Sequence, residues 1–265
     1  AALVCVCYHS ICRNLHASFA KHNYHMQSLK SSSLCAALCK REFRHYFSSS
    51  VYLTNTIMGP ILGTILAGIL YFTDLDSLQS TFAAQLPFSV DFPSLIPILE
   101  AGILSMMPTT CAALSLEGKH WWISQSLPLP EKLILDAKLL MYLLLALPFY
   151  VLTEIFLIGA LKPDTATLLW TLFLPAAFLA FSAVYGLAVN LHFPVLNWEN
   201  EVSVVKQSVS SVLGGLGSLI LTVLCVLGSA LTPSRYLHLF QLSLCLLISV
   251  CTAVLYRRIT GKNKL

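Results

Sequence analysis

Six long apolar runs, separated by shorter polar stretches, dominate the pattern of the chain. They lie near residues 51–72, 95–114, 139–160, 166–190, 209–231 and 236–256. A helix rises about 1.5 Å per residue, so about 20 apolar residues are needed to cross a hydrocarbon core of about 30 Å. Each run meets this length, and the pattern predicts six transmembrane helices. Pro148 and Pro175 fall inside two of them, where a helix bundle tolerates proline because neighbouring groups satisfy the freed backbone.

The composition supports a membrane protein. The chain is 57% hydrophobic and only 11% charged, whereas soluble domains carry about 25% charged residues. We predict an all-α membrane protein, with a bundle of about six transmembrane helices over residues 50–256 and a basic cytoplasmic tail at 257–265. The chain begins with Ala1 and not with methionine. We expect residues 1–49 to be a cytoplasmic linker from a missing half of a longer chain.

Lysine and arginine are distributed unevenly between the two sides of the predicted bundle. One side has only Lys162 and Arg235 between its spans. The other side carries Lys40, Arg41, Arg44, Lys119, Lys132, Lys138, Lys206, Arg257, Arg258, Lys262 and Lys264. Because cytoplasmic loops are enriched in positive charge, we place this basic side in the cytoplasm, together with both ends of the chain.

The segment 39–49 alternates basic and aromatic residues immediately before the first predicted span. Such a pattern is typical of an amphipathic helix that lies in the membrane interface. An ordinary basic flank of the first span is an equally good interpretation.

The polar stretch 115–138 is the longest interruption between apolar runs in the C-terminal two-thirds of the chain. It contains, in order, Glu117, Gly118, Lys119, the pair Trp121 and Trp122, and a break at Pro128 and Pro130. Pro130 suits the first turn of the helix that follows, and Glu131 lies favourably at the positive end of its dipole. The stretch is therefore predicted to form a short cytoplasmic helix with an aromatic tip, suited to binding a soluble partner.

A second cytoplasmic loop, residues 190–208, repeats this arrangement in a shorter form. We predict that Asn197 caps the next helix, with Glu199 and Glu201 in its first turn. Trp198 is the aromatic residue of this loop. The loop can serve as a contact surface, or simply as a helix cap with an interfacial tryptophan.

Two carboxylates, Glu100 and Glu154, lie within the apolar runs. Ionisable residues are costly in lipid and are candidates for a functional site, so a substrate path is one interpretation. Hydration near the outer interface is the other. Glycines at 59 and 63, and at 214, 215 and 217, are expected to let helices approach closely, or else to let them bend during transport.

Other chemistry is not indicated by the residues. The cysteines within the apolar runs suit packing, and their spacing elsewhere does not match a zinc site, so we expect no metal. The chain has no P-loop motif and no H-E-x-x-H motif, and we assign no catalytic residue.

Three motifs resemble the permeases of ABC-2 type transporters. They are S-x-E-G-K-x-W-W followed by S-L-P-L-P in the 115–138 loop, N-W-E-N-E in the 190–208 loop, and K-R-E-F-R-x-Y-F-S-S-x-V-Y-x-x-N-T from Lys40 to Thr56. The likeness covers roughly residues 35–260. It is closest to the C-terminal six-span half of the long bacterial permeases of this family.

This resemblance implies a function and a set of contacts. In such permeases the loop after the second span is a coupling element, seated in a groove of an ATP-binding subunit. The matching residues here are Glu117, Gly118, Lys119, Trp122 and Pro128, with Trp121 beside them. This chain would bind no cofactor itself, because ATP and Mg²⁺ belong to the partner subunit.

The resemblance also sets the expected surroundings of the chain. A second permease half or a second copy would complete the transporter in the plasma membrane, the inner membrane of a bacterium, with the lipid bilayer around it and no nucleic acid bound. The cargo is not identified, and export is the expected direction. A secondary transporter, a membrane-embedded enzyme and a membrane anchor without ATP coupling are the alternatives.

Overall fold

The computed structural model describes residues 33–73, 92–106 and 108–261. Most of the predicted linker at 1–49, the acidic loop between the first two spans and residues 262–265 of the tail lie outside these ranges. Every regular element in the described ranges is a helix. The helices are α1 Leu34–Ser48, α2 Ser50–Phe72, α3 Phe92–Leu104, α4 Trp121–Ser126, α5 Glu131–Leu161, α6 Thr165–His192, α7 Glu201–Gln207, α8 Val209–Leu231 and α9 Leu237–Thr260, with short 3-10 helices at Thr109–Cys111, Ser115–His120 and Ser234–Tyr236.

Five helical segments of the described chain are long and apolar enough to cross a membrane. These are α2, α5, α6, the pair α7 and α8 taken together, and α9. Five of the six predicted spans are therefore confirmed by length and composition, and the chain is a multi-pass membrane protein. Pro148 and Pro175 lie inside continuous helices, as predicted.

The second predicted span does not form one helix. α3 ends at Leu104 after 13 described residues, and the chain continues past Pro108 into the 3-10 helix Thr109–Cys111. Pro108 lacks the N–H that a continued helix would bond to a carbonyl one turn earlier, which explains why the helix does not run on. The prediction of a continuous helix over 95–114 is therefore wrong.

Two glycines make room for this break. A Cβ atom at Gly186 of α6 would lie 2.6 Å from the Thr110 Oγ1 and 2.8 Å from the Cys111 Sγ. A Cβ at Gly214 of α8 would clash with the same sulfur. The 3-10 turn is thus packed closely against both helices, and Gly214 serves helix packing, as expected.

The helix α6 is the centre of the bundle. It packs against α3, α5, α8 and α9, and half of its most apolar stretch is buried, against 11–33% in the other four spans. The outward faces of those spans remain apolar and exposed, as a lipid-covered surface requires. Examples are Leu62, Ile69, Ile155, Leu219, Leu224, Leu239 and Leu246.

The glycine pair on α2 brings α2 and α3 together. A Cβ at Gly59 would lie 3.0 Å from the Ile103 carbonyl oxygen, and one at Gly63 would lie 2.6 Å from the Glu100 Oε1. The predicted role of this G-x-x-x-G motif in helix packing is confirmed.

Candidate functional site

The side chain of Lys138 is the centre of a buried polar cluster at the basic end of the bundle. Lys138 lies two turns into α5 and is 0% exposed. Its ammonium donates to the Glu42 Oε2 at 3.0 Å, to the Glu117 Oε1 at 2.5 Å and to the Ala113 carbonyl oxygen at 3.0 Å. All three donor positions of the lysine are therefore used within the chain.

Arg41 and Ser124 complete this cluster, which we call the ion cluster (Arg41, Glu42, Glu117, Ser124 and Lys138). The Arg41 Nη2 donates to the Glu42 Oε1 at 2.9 Å and to the Glu117 Oε1 at 3.2 Å. Its Nη1 donates to the Ser124 Oγ at 3.1 Å, and this hydroxyl donates to the Glu117 Oε2 at 2.6 Å. Two cations face two carboxylates, so the cluster is neutral as a whole.

The pKa of Glu42 reflects the positive charges around it in the ion cluster. Burial by itself would raise the pKa of the Glu42 carboxyl, but the Lys138 ammonium and the Arg41 guanidinium outweigh that effect. The pKa of Glu42 consequently lies below its ordinary value. Glu42 is thus an ionised carboxylate that depends on its two cationic partners.

The ion cluster joins three separate elements. Arg41 and Glu42 belong to the predicted surface helix α1, Glu117 and Ser124 to the loop region 115–138, and Lys138 to the spanning helix α5. A cleft of about 500 Å³ opens beside it, between α1 and the loop. Its lining includes Arg44, His45 and His120. The loop is therefore fixed to α5 by buried charges as well as by the chain.

Sequence reasoning counted Lys138 among the cytoplasmic loop charges, and the structure corrects this placement. Lys138 is buried among apolar neighbours of α5 such as Ile134 and Leu139. A signal was available, because a lysine flanked by apolar residues on a helix face needs a carboxylate partner. Arg41, Glu42 and Ser124 were missed as site residues, because their contacts depend on how α1 and the loop fold back onto α5.

A second buried hub, Asn190 at the end of α6, ties the 115–138 and 190–208 loops together. Its Oδ1 accepts hydrogen bonds from the backbone N–H groups of Leu114 at 2.9 Å and Ser115 at 3.2 Å. Its Nδ2 donates to the hydroxyls of Ser115 at 2.7 Å and Ser210 at 3.1 Å. The Ser115 hydroxyl also accepts from the Val195 N–H at 3.0 Å. All four hydrogen-bonding positions of this carboxamide are used.

Gly118 and Trp198 form the direct contact between the loops. The Trp198 Nε1 donates to the Ser115 carbonyl oxygen at 2.7 Å. Gly118 has φ +55° and ψ −134°, a backbone conformation that residues other than glycine rarely adopt. A Cβ there would lie 2.9 Å from the Trp198 Nε1. Gly118, predicted as a partner contact, thus packs against Trp198, for which the sequence left a contact surface and an interfacial tryptophan both open.

Replacing Gly118 by alanine is expected to destabilise the protein by about 1–3 kcal/mol, because the new Cβ meets both backbone strain and Trp198. The measurement is the melting temperature of the purified chain in detergent. Gly68→Ala is the matched control, because its Cβ would meet only Phe156 at an ordinary 3.8 Å. Equal melting temperatures for the two variants would contradict the positive φ at Gly118.

The predicted tryptophan pair is divided between the interior and the surface. Trp121 is only 8% exposed and packs with Leu38, Leu114 and Ile134. Trp122 is 63% exposed. Trp121 therefore packs within this chain, and the expectation that both tryptophans insert into a partner is corrected for Trp121. Lys119 and Pro128 are exposed, like Trp122.

The predicted helix cap in the second loop is displaced by three residues. Asn200, and not Asn197, precedes α7, and its Oδ1 accepts from the Val202 N–H at 3.0 Å. Asn197 is exposed, and Glu199 lies before the helix. Only Glu201 begins the helix as predicted. Asn200 was the better candidate, because Glu201 follows it directly at the start of the helix.

Glu100 and Glu154 are both buried, at 3% exposure each. The expectation of hydration near an interface is therefore not met within the bundle. Neither residue contacts the ion cluster, which lies at the other end of α5. Within the described ranges, no group of three or more His, Cys, Asp or Glu residues is placed to hold a metal ion.

Comparisons of the chain with protein-family models, with curated proteins and with solved structures found no match. The resemblance to ABC-2 type permeases therefore rests on the three sequence motifs alone. What the geometry adds is an exposed tryptophan on a loop that is braced against a spanning helix.

Proposed function

We propose that this chain is the transmembrane permease subunit of an ABC-2 type transporter. It moves an unidentified cargo across the plasma membrane, in the direction of export, and the energy comes from ATP hydrolysis on a partner subunit that also holds Mg²⁺. The chain itself performs no catalysis. A second permease half or a second copy completes the pathway, and a bacterial inner membrane is the proposed location.

One observation carries this proposal: an exposed tryptophan lies on a segment that buried charges join to a spanning helix. Trp122 projects from α4, while its neighbours Glu117 and Ser124 are held in the ion cluster by Lys138 and Arg41. Exposed tryptophans are common anchors of protein interfaces. This arrangement suits a loop that receives force from a soluble subunit.

The braced loop also suggests a route for the movement. Closure of two ATP-binding subunits would press on the 115–138 loops. The ion cluster resists separation, because pulling one charge away leaves its partners buried and unpaired. The push is therefore passed to α5, which is continuous for 31 residues from Glu131, and to α1. Since α5 packs closely along α2, the two spans would move together.

The proposal predicts that Trp122→Ala weakens binding of the ATP-binding subunit by about 2 kcal/mol or more, roughly thirtyfold, without unfolding the chain. A photo-crosslinking residue at position 122 of the full-length chain, irradiated in native membranes, identifies the partner. We expect capture of a protein that carries a P-loop.

A matched control uses Tyr236, an exposed aromatic residue at the opposite end of the bundle. The same crosslinker there should not capture the P-loop protein. Labelling of lipid alone at position 122, or equal capture from both positions, would contradict a coupling role for the loop.

A second candidate function, a secondary transporter, is favoured by the buried pair Glu100 and Glu154. Intramembrane carboxylates often carry ions or protons in such transporters. The energy source separates the two functions. Transport that stops on ATP depletion but survives an uncoupler supports the permease, and the reverse supports the secondary transporter.

A further inference from the structure

Glu100 on α3 and Glu154 on α5 both lie in the membrane part of the bundle, next to α2. The Glu100 Oε1 lies against Gly63 of α2. On the next α2 residue, the Thr64 hydroxyl lies 3.2 Å from the Thr153 hydroxyl, which belongs to the residue before Glu154 on α5. Glu100 and the residue before Glu154 therefore pack against consecutive residues of α2. The two glutamates thus lie where α2, α3 and α5 pack together.

The carboxyl groups of this pair lack polar partners. The Oε1 of Glu100 and both oxygens of Glu154 are buried and find no hydrogen-bond partner among the described residues. This contrasts with Glu42, which is equally buried at 4% exposure but accepts hydrogen bonds from Arg41 and Lys138. The acid pair is therefore not part of a closed structural network.

The nearest cation along α5 is Lys162, which caps the helix eight residues, about 12 Å, after Glu154 and is exposed. α2 and α3 contain no Lys, Arg or His. On α5, Lys138 precedes Glu154 by 16 residues, about 24 Å along a helix, and is saturated within the ion cluster. On α6, His192 lies at the end of the helix that faces the ion cluster. The charge of the two acids is thus not balanced by a basic side chain of these helices.

The titratable groups on the surrounding helices are weak acids. Tyr150, one turn before Glu154, donates its hydroxyl to the Leu172 carbonyl oxygen of α6 at 2.8 Å. Tyr71 of α2 packs against Gly159 of α5. Cys225 of α8 packs in the cluster that contains Ile98. None of the three supplies a positive charge.

Two ionised carboxylates cannot remain together in such surroundings. An isolated buried charge is very costly without a counter-charge, and two like charges in one site repel each other. A proton on a carboxylate oxygen removes both costs.

We propose that Glu100 and Glu154 form an intramembrane proton-binding site. A carboxylate oxygen takes a proton from water to give a neutral carboxylic acid, and release of the proton restores the carboxylate. This inference goes beyond the proposed permease function, which does not require a proton site, and its test uses no transport assay. Failure of one therefore leaves the other standing.

The test is labelling of the full chain in native membranes with dicyclohexylcarbodiimide, followed by mass spectrometry of peptides. This apolar reagent takes the proton of a buried carboxylic acid, and the carboxylate then adds to its central carbon and rearranges to a stable N-acylurea. We expect adducts on Glu100 or Glu154, with a yield that falls at least severalfold as the pH is raised. Glu42 is the matched control and should stay unlabelled, because it is ion-paired.

Variants sharpen the result. Glu154→Gln should leave labelling only at Glu100, and the double variant Glu100→Gln with Glu154→Gln should abolish labelling in both helices. Suppression of labelling by sodium or potassium at constant pH would instead identify a metal-cation site and overturn the proposal.

An infrared difference spectrum between the wild type and the double variant supplies a readout that does not depend on reagent access. A carboxylic acid C=O band that disappears in the double variant supports the proton site. Carboxylate bands alone, at neutral pH, overturn it even where the carbodiimide does not react.

Discussion

Lys138→Met is expected to destabilise the folded chain by about 3–5 kcal/mol, the largest effect that we predict for a single substitution. The methionine fills the volume of the lysine stem but supplies no charge. Among the described residues, Arg41 is then the one cation paired with the carboxylates of Glu42 and Glu117, both of which are largely buried. The measurement is the melting temperature in detergent, where a loss of this size is on the order of 10 °C.

Two further variants make this result specific. Lys132→Met removes a positive charge from an exposed position of the same helix, away from the ion cluster. It should leave the melting temperature nearly unchanged. Lys138→Met combined with Glu42→Gln should recover much of the loss, because Arg41 can then neutralise the remaining carboxylate of Glu117. A single variant that melts like the wild type would show that the ion cluster does not form in the membrane.

The ion cluster also gives stability a definite dependence on pH. The pKa of Glu42 is lowered by Lys138 and Arg41, so its contribution is fully present above the ordinary glutamate pKa of about 4.5. That contribution is lost as the pH falls through the lowered value, where the folded state binds the proton. Lys138→Met should weaken this acid dependence, since it removes a main cause of the lowered pKa.

The spanning helices could be predicted because the decisive property is local. About 20 apolar residues in succession identify α2, α5, α6, α8 and α9 without knowledge of any neighbour. The break after α3 could not be predicted from apolarity, because the 3-10 turn at Thr109–Cys111 lies within a long apolar run and is as buried as a helix. Pro108 was the only local signal. The decisive fact, the space left by two glycines on other helices, is tertiary.

In the candidate site, too, local properties could be predicted from the sequence and tertiary contacts could not. The importance of the 115–138 loop followed from its polarity and its tryptophans. The sequence did not separate Trp121 from Trp122, since adjacent helical residues point about 100° apart and the buried direction depends on α1 and α5. The sequence also did not indicate that Glu117 forms buried ion pairs within the chain. It pairs with Lys138 and Arg41, so Glu117→Ala would disturb the fold, while Lys119 and Trp122 remain suitable probes of partner contact.

Asn190→Ala is expected to destabilise the chain by about 2–4 kcal/mol, because one truncation leaves several buried groups without a partner. The N–H groups of Leu114 and Ser115 lose their acceptor, and the hydroxyls of Ser115 and Ser210 lose a donor. The stretch around Ser115 begins the loop that carries Trp122. Loosening it should therefore lower crosslinking yield from position 122 as well as the melting temperature.

Asn197→Ala is the control for this prediction and tests the corrected cap at the same time. Asn197 is exposed and caps no helix, so its replacement should change stability by less than about 0.5 kcal/mol. Asn200→Ala, which removes the observed cap of α7, should cost about 1 kcal/mol. The expected order of loss is thus Asn190 first, Asn200 second and Asn197 last. A larger loss at Asn197 than at Asn200 would restore the cap that the sequence pattern favoured and would place the start of α7 elsewhere.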